Sequence, residues 1–250
     1  MRRPLIAANW KMHKTTEETR EFITRFVPLV EDVQDVEIVI APPFTSLAVA
    51  AKFLKGSNVK LAGQNLFWEE KGAFTGEISA PMLRDVECEY VIVGHSERRQ
   101  YFGETDETVN RRVRAAHASG LKVILCIGET LEQREAGSTF DVLKTQLLGG
   151  LKDIDAHEML VIAYEPVWAI GTGKTATPEQ AEEAHQFIRQ QLSGIYGSDV
   201  ADRIRILYGG SVKPENVASL MAQPDVDGGL VGGASLKPDS FAKIVRFKEA

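Results

Sequence analysis

Eight short apolar runs recur along this chain, and their alternation with amphipathic segments restricts the fold more than any other feature. The runs are LIAAN from Leu5, VEIVIA from Val36, VKLAG from Val59, YVIVG from Tyr90, LKVILCIG from Leu121, MLVIAY from Met159, IRILYGG from Ile204 and VDGGLVGG from Val226. Each is nearly continuous rather than alternating, which is how a strand reads when it is buried on both faces of a parallel sheet. Between them, Phe22, Ile23, Phe26, Val27 and Val30 repeat at helical spacing, as do Ala181, Ala184, Ile188 and Leu192. Thr15-x-x-Glu18 reads as a capping box, and Thr177-Pro178-Glu179-Gln180 joins a capping box to a proline at the first helical position. Eight βα units within 250 residues, with no linker or composition break, predict one α/β domain over 1–250, a (β/α)8 barrel with a parallel eight-stranded core. A doubly wound open sheet is the alternative that the pattern leaves open.

Composition narrows the partners. A net charge of −6 argues against nucleic acid, which selects a basic face. No apolar run approaches the roughly 18 residues of a membrane span, and the apolar stretch after Arg2 and Arg3 is too short for a signal peptide. With two cysteines only, Cys88 and Cys126, a disulfide framework is not expected and a reducing cytoplasm is. Cys126 reads as a small core residue. The histidines His13, His95, His117, His157 and His185 are scattered without ligand spacing, so no metal site is expected.

In a barrel of this kind, chemistry gathers at the C-terminal ends of the strands. Polar residues fall there: Asn9 and Lys11 after the first strand, Gln64 and Asn65 after the third, His95 and Glu97 after the fourth, Glu165 after the sixth. Gly209-Gly210-Ser211 and Gly232-Gly233 end the seventh and eighth strands, where this architecture usually holds phosphate. Glycine lets a backbone approach an anion closely, and a following helix start offers unpaired N–H groups. The same pairs could instead be tight turns that need a positive φ. GTGKT at 171–175 is not a P-loop, because the required first glycine is Trp168. Singly, Lys11, His95 and Glu165 could be a solvated lysine, a structural histidine and a turn cap. Together they supply an ammonium, an acid and a base beside an anion site, a set that can move a proton next to a carbonyl and hold the enediolate.

The motifs NWKM at 9–12, GHSERR at 94–99, CIGET at 126–130, AYEPVWAIGTGK at 163–174, YGGSV at 208–212 and GLVGGASL at 229–236 together resemble the triosephosphate isomerase family, end to end and in order. His13 stands where that family more often has asparagine. The resemblance implies interconversion of dihydroxyacetone phosphate and D-glyceraldehyde 3-phosphate, in glycolysis and gluconeogenesis, without a cofactor. It implies Glu165 as the base, neutral His95 as the electrophile and Lys11 as the cation, roles for which the family is a standard illustration. Asn9, Lys11, the amides of Gly171, Ser211, Gly232 and Gly233, and a lid over 166–176 would hold the substrate, with Glu97 steadying Lys11 or His95. A homodimer is implied through the loop 69–79, whose Phe74 and Thr75 would meet the partner near its site. An aldolase or lyase on a phosphate-binding barrel, and a silent sugar-phosphate-binding module, are the competing readings.

Overall fold

A computed structural model describes residues 2–155, 157–170 and 175–249. Eight parallel strands close into a barrel in sequence order, with β1 (Leu5–Asn9) pairing both β2 (Glu37–Ala41) and β8 (Gly228–Val231). The others are β3 (Val59–Gly63), β4 (Tyr90–Val93), β5 (Lys122–Ile127), β6 (Leu160–Tyr164) and β7 (Arg205–Tyr208). Each lies within the apolar run that predicted it, and closure removes the open-sheet alternative. The continuous character of the runs has a direct cause. Leu5, Ala7, Val39, Ala41, Tyr90, Ile92, Ile124, Cys126, Val161 and Ala163 belong to an inner core. Their neighbours Ile6, Ala8, Ile38, Ile40, Val91, Val93, Val123 and Leu125 belong to the core beneath the helices. Both faces are dry, so both are apolar.

The helices around the barrel are α1 (Thr16–Phe26), α2 (Leu47–Leu54), α3 (Ala80–Asp85), α4 (Ser96–Phe102), α5 (Asp106–Ala118), α6 (Leu131–Glu135), α7 (Thr139–Gly150), α8 (Pro178–Tyr196), α9 (Ser198–Ala201), α10 (Val217–Met221) and α11 (Pro238–Val245). That is eleven α-helices among the described residues, where one per strand was expected. The short α4, α6 and α9 account for the difference; at four to seven residues they carry no full apolar stripe for a periodicity reading to find. Both expected capping boxes form, Thr15 with Glu18 and Thr177 with Gln180, and Thr105–Thr108 and Thr130–Gln133 add two more. Among the described residues no helix is long and apolar enough to cross a membrane.

His185 on α8 is fully buried beside Tyr164 and Tyr208, with Nδ1 on the Asp225 carbonyl at 3.1 Å. Burial pushes its pKa down to about 4, from an ordinary 6.5. The unfolded chain therefore takes up a proton below pH 6.5 that the folded chain refuses until pH 4. Stability tied to His185 is complete above 6.5 and drains away as pH falls to about 4, a loss of about 3 kcal/mol. Urea unfolding at pH 7.5 and 4.5 measures it. In His185→Gln the difference between the two pH values should shrink by about 2–3 kcal/mol, and an unchanged difference would contradict this account.

Candidate active site

At the C-terminal rim, Asn9, Lys11, His95, Glu165, Ile170, Ser211, Lys213, Gly232 and Gly233 line one cavity of ≈ 250 Å³, together with Gly209, Gly210 and the apolar Val212, Leu230 and Ala234. Of the expected site residues, all that are described meet there. Gly171 lies outside the described residues.

Glu165 follows β6 directly and is 1% exposed. Two glycines make room for it. A Cβ on Gly128 would sit 1.7 Å from the Glu165 carbonyl oxygen, and one on Gly209 would sit 2.8 Å from its Cγ. The carboxylate accepts from the Ser96 amide at 2.9 Å and meets His95 Nε2 at 2.8 Å. Burial alone would raise its pKa; the His95 ring and the Ser96 amide outweigh burial and hold it below the ordinary carboxylate value.

His95 is the N-cap of α4, an unusual cap in which the ring nitrogen Nδ1 accepts the Glu97 amide at 3.2 Å. A nitrogen that accepts an N–H carries no proton, so this bond selects the neutral tautomer with Nε2–H directed at Glu165. Burial also opposes the cation. The Glu165 carboxylate favours it and, of the two, prevails, raising the His95 pKa. The cap bond from the Glu97 amide does not involve the carboxylate, and it selects which ring nitrogen carries the proton in the neutral form.

Lys11 enters the cavity from the first turn after β1. Its Nζ pairs with Glu97 Oε1 at 2.6 Å, which resolves the choice for Glu97 in favour of the lysine, with a weaker approach to His95 at 3.6 Å. The Lys11 backbone sits at φ 53°, in the left-handed region. Two side chains hold it there. Asn9 Oδ1 accepts the Lys11 amide at 3.0 Å, and Gln64 Nε2 donates to the Lys11 carbonyl at 2.9 Å and the Ala41 carbonyl at 2.8 Å.

Opposite this group, the amides of Ser211, Gly232 and Gly233 have no protein acceptor among the described residues. None of Gly209, Gly210, Gly232 and Gly233 has a positive φ, so the turn-geometry reading of the glycine pairs fails; Gly209 and Gly210 make room for Glu165 and the Tyr208 ring, while a Cβ on Gly232 would meet only the Lys11 side chain. Lys213, at the edge of the same cavity, adds a cation that the sequence reading passed over.

Glu129 was also passed over, although it lies within the CIGET motif. It is fully buried, and its Oε1 accepts from Tyr164 Oη at 3.1 Å, Trp168 Nε1 at 2.9 Å and Arg134 Nη1 at 3.2 Å. Its carbonyl accepts the Val167 amide at 3.0 Å. These bonds anchor the 3-10 turn Val167–Ala169 that leaves the Glu165-Pro166 corner.

The fold and rim define a (β/α)8-barrel enzyme in which an imidazole, a carboxylate and an ammonium share one cavity with backbone amides that have no acceptor among the described residues. The family model described as triosephosphate isomerase matches residues 4–248. The triosephosphate isomerase of Trichlorobacter lovleyi is 60% identical over 250 residues, covering 99% of this chain and all of the relative. Those of Geotalea uraniireducens and Moorella thermoacetica are 59% and 58% identical over 251 residues, covering the whole of both chains in each case. The chain belongs to the triosephosphate isomerase family.

Proposed function

We propose that this enzyme interconverts dihydroxyacetone phosphate and D-glyceraldehyde 3-phosphate by proton transfer through an enediolate. The observation that carries the reading is the convergence of Glu165, His95 and Lys11 on one cavity with the amides of Ser211, Gly232 and Gly233, which have no acceptor among the described residues. Those amides, with Gly171 as a further expected donor, take the phosphate. Lys11 faces the anionic substrate, with Asn9 adding a polar contact.

The resting bonds of Glu165 suggest how it is released. A substrate carbonyl oxygen that accepts the His95 Nε2–H displaces the carboxylate from that donor. Freed of one N–H and shielded from water, the carboxylate becomes a stronger base and takes the proton from the carbon beside the carbonyl. Negative charge then builds on the oxygen facing His95 Nε2–H and the Lys11 ammonium, where fixed donors are most effective. A proton then passes from the hydroxyl oxygen to the former carbonyl oxygen, and returning the first proton to the other carbon completes the isomerisation. No electron leaves the substrate, so the chemistry requires no redox cofactor.

A coupled assay that oxidises glyceraldehyde 3-phosphate as it forms from dihydroxyacetone phosphate tests the reading directly. Turnover without imine trapping by borohydride supports it. Absence of turnover, or a trapped imine, would replace it with a binding module or an aldolase.

We further propose that residues 1–250 act as one catalytic domain and that two copies pair through the loop 69–79. Met12 is 94% exposed, and Phe74, Met82, Tyr101 and Phe102 are exposed with it, a set of apolar side chains following β1, β3 and β4 that a monomer would leave wet. Phe74 packs against Phe67 with ring centroids 4.6 Å apart and the rings tilted by 43°, giving the loop a firm base. Light scattering should give twice the chain mass for the native protein and one chain mass after deletion of 71–76; a native monomer would end the proposal. The two buried free thiols, Cys88 and Cys126, suit a reducing cytoplasm.

A further inference from the structure

The N-terminal mouth of the barrel, a strand's length of roughly 15 Å from the catalytic rim, carries charge that the isomerase chemistry does not use. Arg2, Arg3, Arg203 and Arg205 line a cavity there of ≈ 630 Å³, with Glu37 and Asp202 as the carboxylates on its wall among the described residues. Four cations against two anions is a local excess of positive charge in a chain whose net charge is −6.

Two of the guanidinium groups are committed. Arg2 Nε pairs with Asp227 at 2.5 Å while its terminal nitrogens donate to the carbonyls of Asp202 and Pro224. Arg205 pairs with Glu37, whose Oε1 also takes Lys60 Nζ and Tyr90 Oη, each at 2.9 Å. The floor of the cavity is therefore neutralised. The other two guanidinium groups are not committed. Arg3 makes one hydrogen bond, from Nη2 to the Val36 carbonyl at 3.1 Å, and Arg203 makes no side-chain hydrogen bond or ion pair among the described residues. The acids flanking the mouth are taken up elsewhere, Glu89 by Lys60 and Asp35 by Lys248. Asp202 and Glu158, which lines an adjoining cavity with Arg203 and Arg205, keep carboxylates without an ion pair among the described residues.

We propose that this mouth is an anion site for the phosphoryl group of a small phosphate ester, separate from the isomerase site. Arg3 leads into β1 and Arg203 leads into β7, so two rigid forks from distant parts of the chain border one concavity. A guanidinium fork matches two oxygens of a carboxylate or a phosphate. A carboxylate is satisfied by a single fork. A phosphoryl group has three terminal oxygens and nearly two negative charges, and it can engage both.

Equilibrium dialysis with radiolabelled inorganic phosphate, at constant ionic strength in chloride, tests this. The native chain should bind two phosphates. Gly232→Val, which alters the rim cradle, should keep the mouth site and lose the other. The double variant Arg3→Ala/Arg203→Ala should keep the rim site and weaken the mouth site at least tenfold. Both arginines are exposed and remote from the rim, so isomerase turnover and its inhibition by phosphate should stay as in the native chain and report that the variant is folded. One phosphate per native chain, or two with unchanged affinity in the double variant, would overturn the proposal.

Discussion

Replacing Glu165 with Gln should lower kcat by about 10²–10⁴ or more, the contribution of a positioned base, while leaving phosphate binding intact. The geometry sets this expectation. A glutamine amide keeps one oxygen, which can accept the Ser96 amide or face His95 Nε2–H, but not both; its NH2 then opposes the remaining donor. The side chain is buried and closely packed against Gly209, so it has little room to rearrange. Some loss of stability should follow, of about 1–3 kcal/mol for an unsatisfied buried donor. Catalysis must fall much further than stability explains. The decisive measurement is exchange of the substrate's carbon-bound proton with deuterated water at saturating substrate. A Glu165→Gln protein that still exchanges at a near-native rate would mean that another group removes the proton.

What could be read from the sequence and what could not divides along a physical line. Strands buried on both faces leave a contiguous apolar run, and the eight runs gave the barrel its order. Residues whose type is itself chemically informative at a strand's end, such as Glu165, His95 and Lys11, could be placed on one rim once the barrel was inferred. Glu129 and Gln64 could not be assigned roles, because those roles depend on which backbone and side-chain groups come near them in space. Glu129 gathers partners from Arg134, Tyr164, Val167 and Trp168, and Gln64 bridges the ends of β1 and β2. The imidazole cap on α4 was only half visible. The family resemblance implied a neutral imidazole, but the acceptor bond at Nδ1 is a three-dimensional fact. The strain at Lys11 left no trace at all, since lysine is not a residue that advertises a left-handed backbone.

That strain makes Lys11 the most informative position for a second variant pair. Lys11→Met removes the ammonium that faces the phosphate and the growing negative charge, so both affinity and turnover should fall. By analogy with the loss of one preorganised donor, kcat should fall by about 10²–10³, with KM rising as well because the charge acts in ground and transition states alike. Lys11→Gly should be equally inactive, for the same reason. Stability should separate the two. At φ 53° a side-chain-bearing residue pays roughly 1–2 kcal/mol that glycine does not, and the bonds from Asn9 and Gln64 involve only the Lys11 backbone, so both survive in either variant. The lost pair with Glu97 is common to both and cancels. Glycine's greater freedom in the unfolded chain takes back part of the gain, about 0.5–1 kcal/mol. Lys11→Gly should therefore unfold at a higher denaturant midpoint than Lys11→Met, by an amount equivalent to somewhat under 1 kcal/mol. The expected result is two inactive proteins, of which the glycine variant is the more stable: the backbone bends out of its preferred region to aim an ammonium, and the stability so lost returns when the ammonium is removed together with its side chain. Equal midpoints would mean that Asn9 and Gln64 do not hold the turn in a strained state, and a KM unchanged in Lys11→Met would remove the lysine from substrate binding.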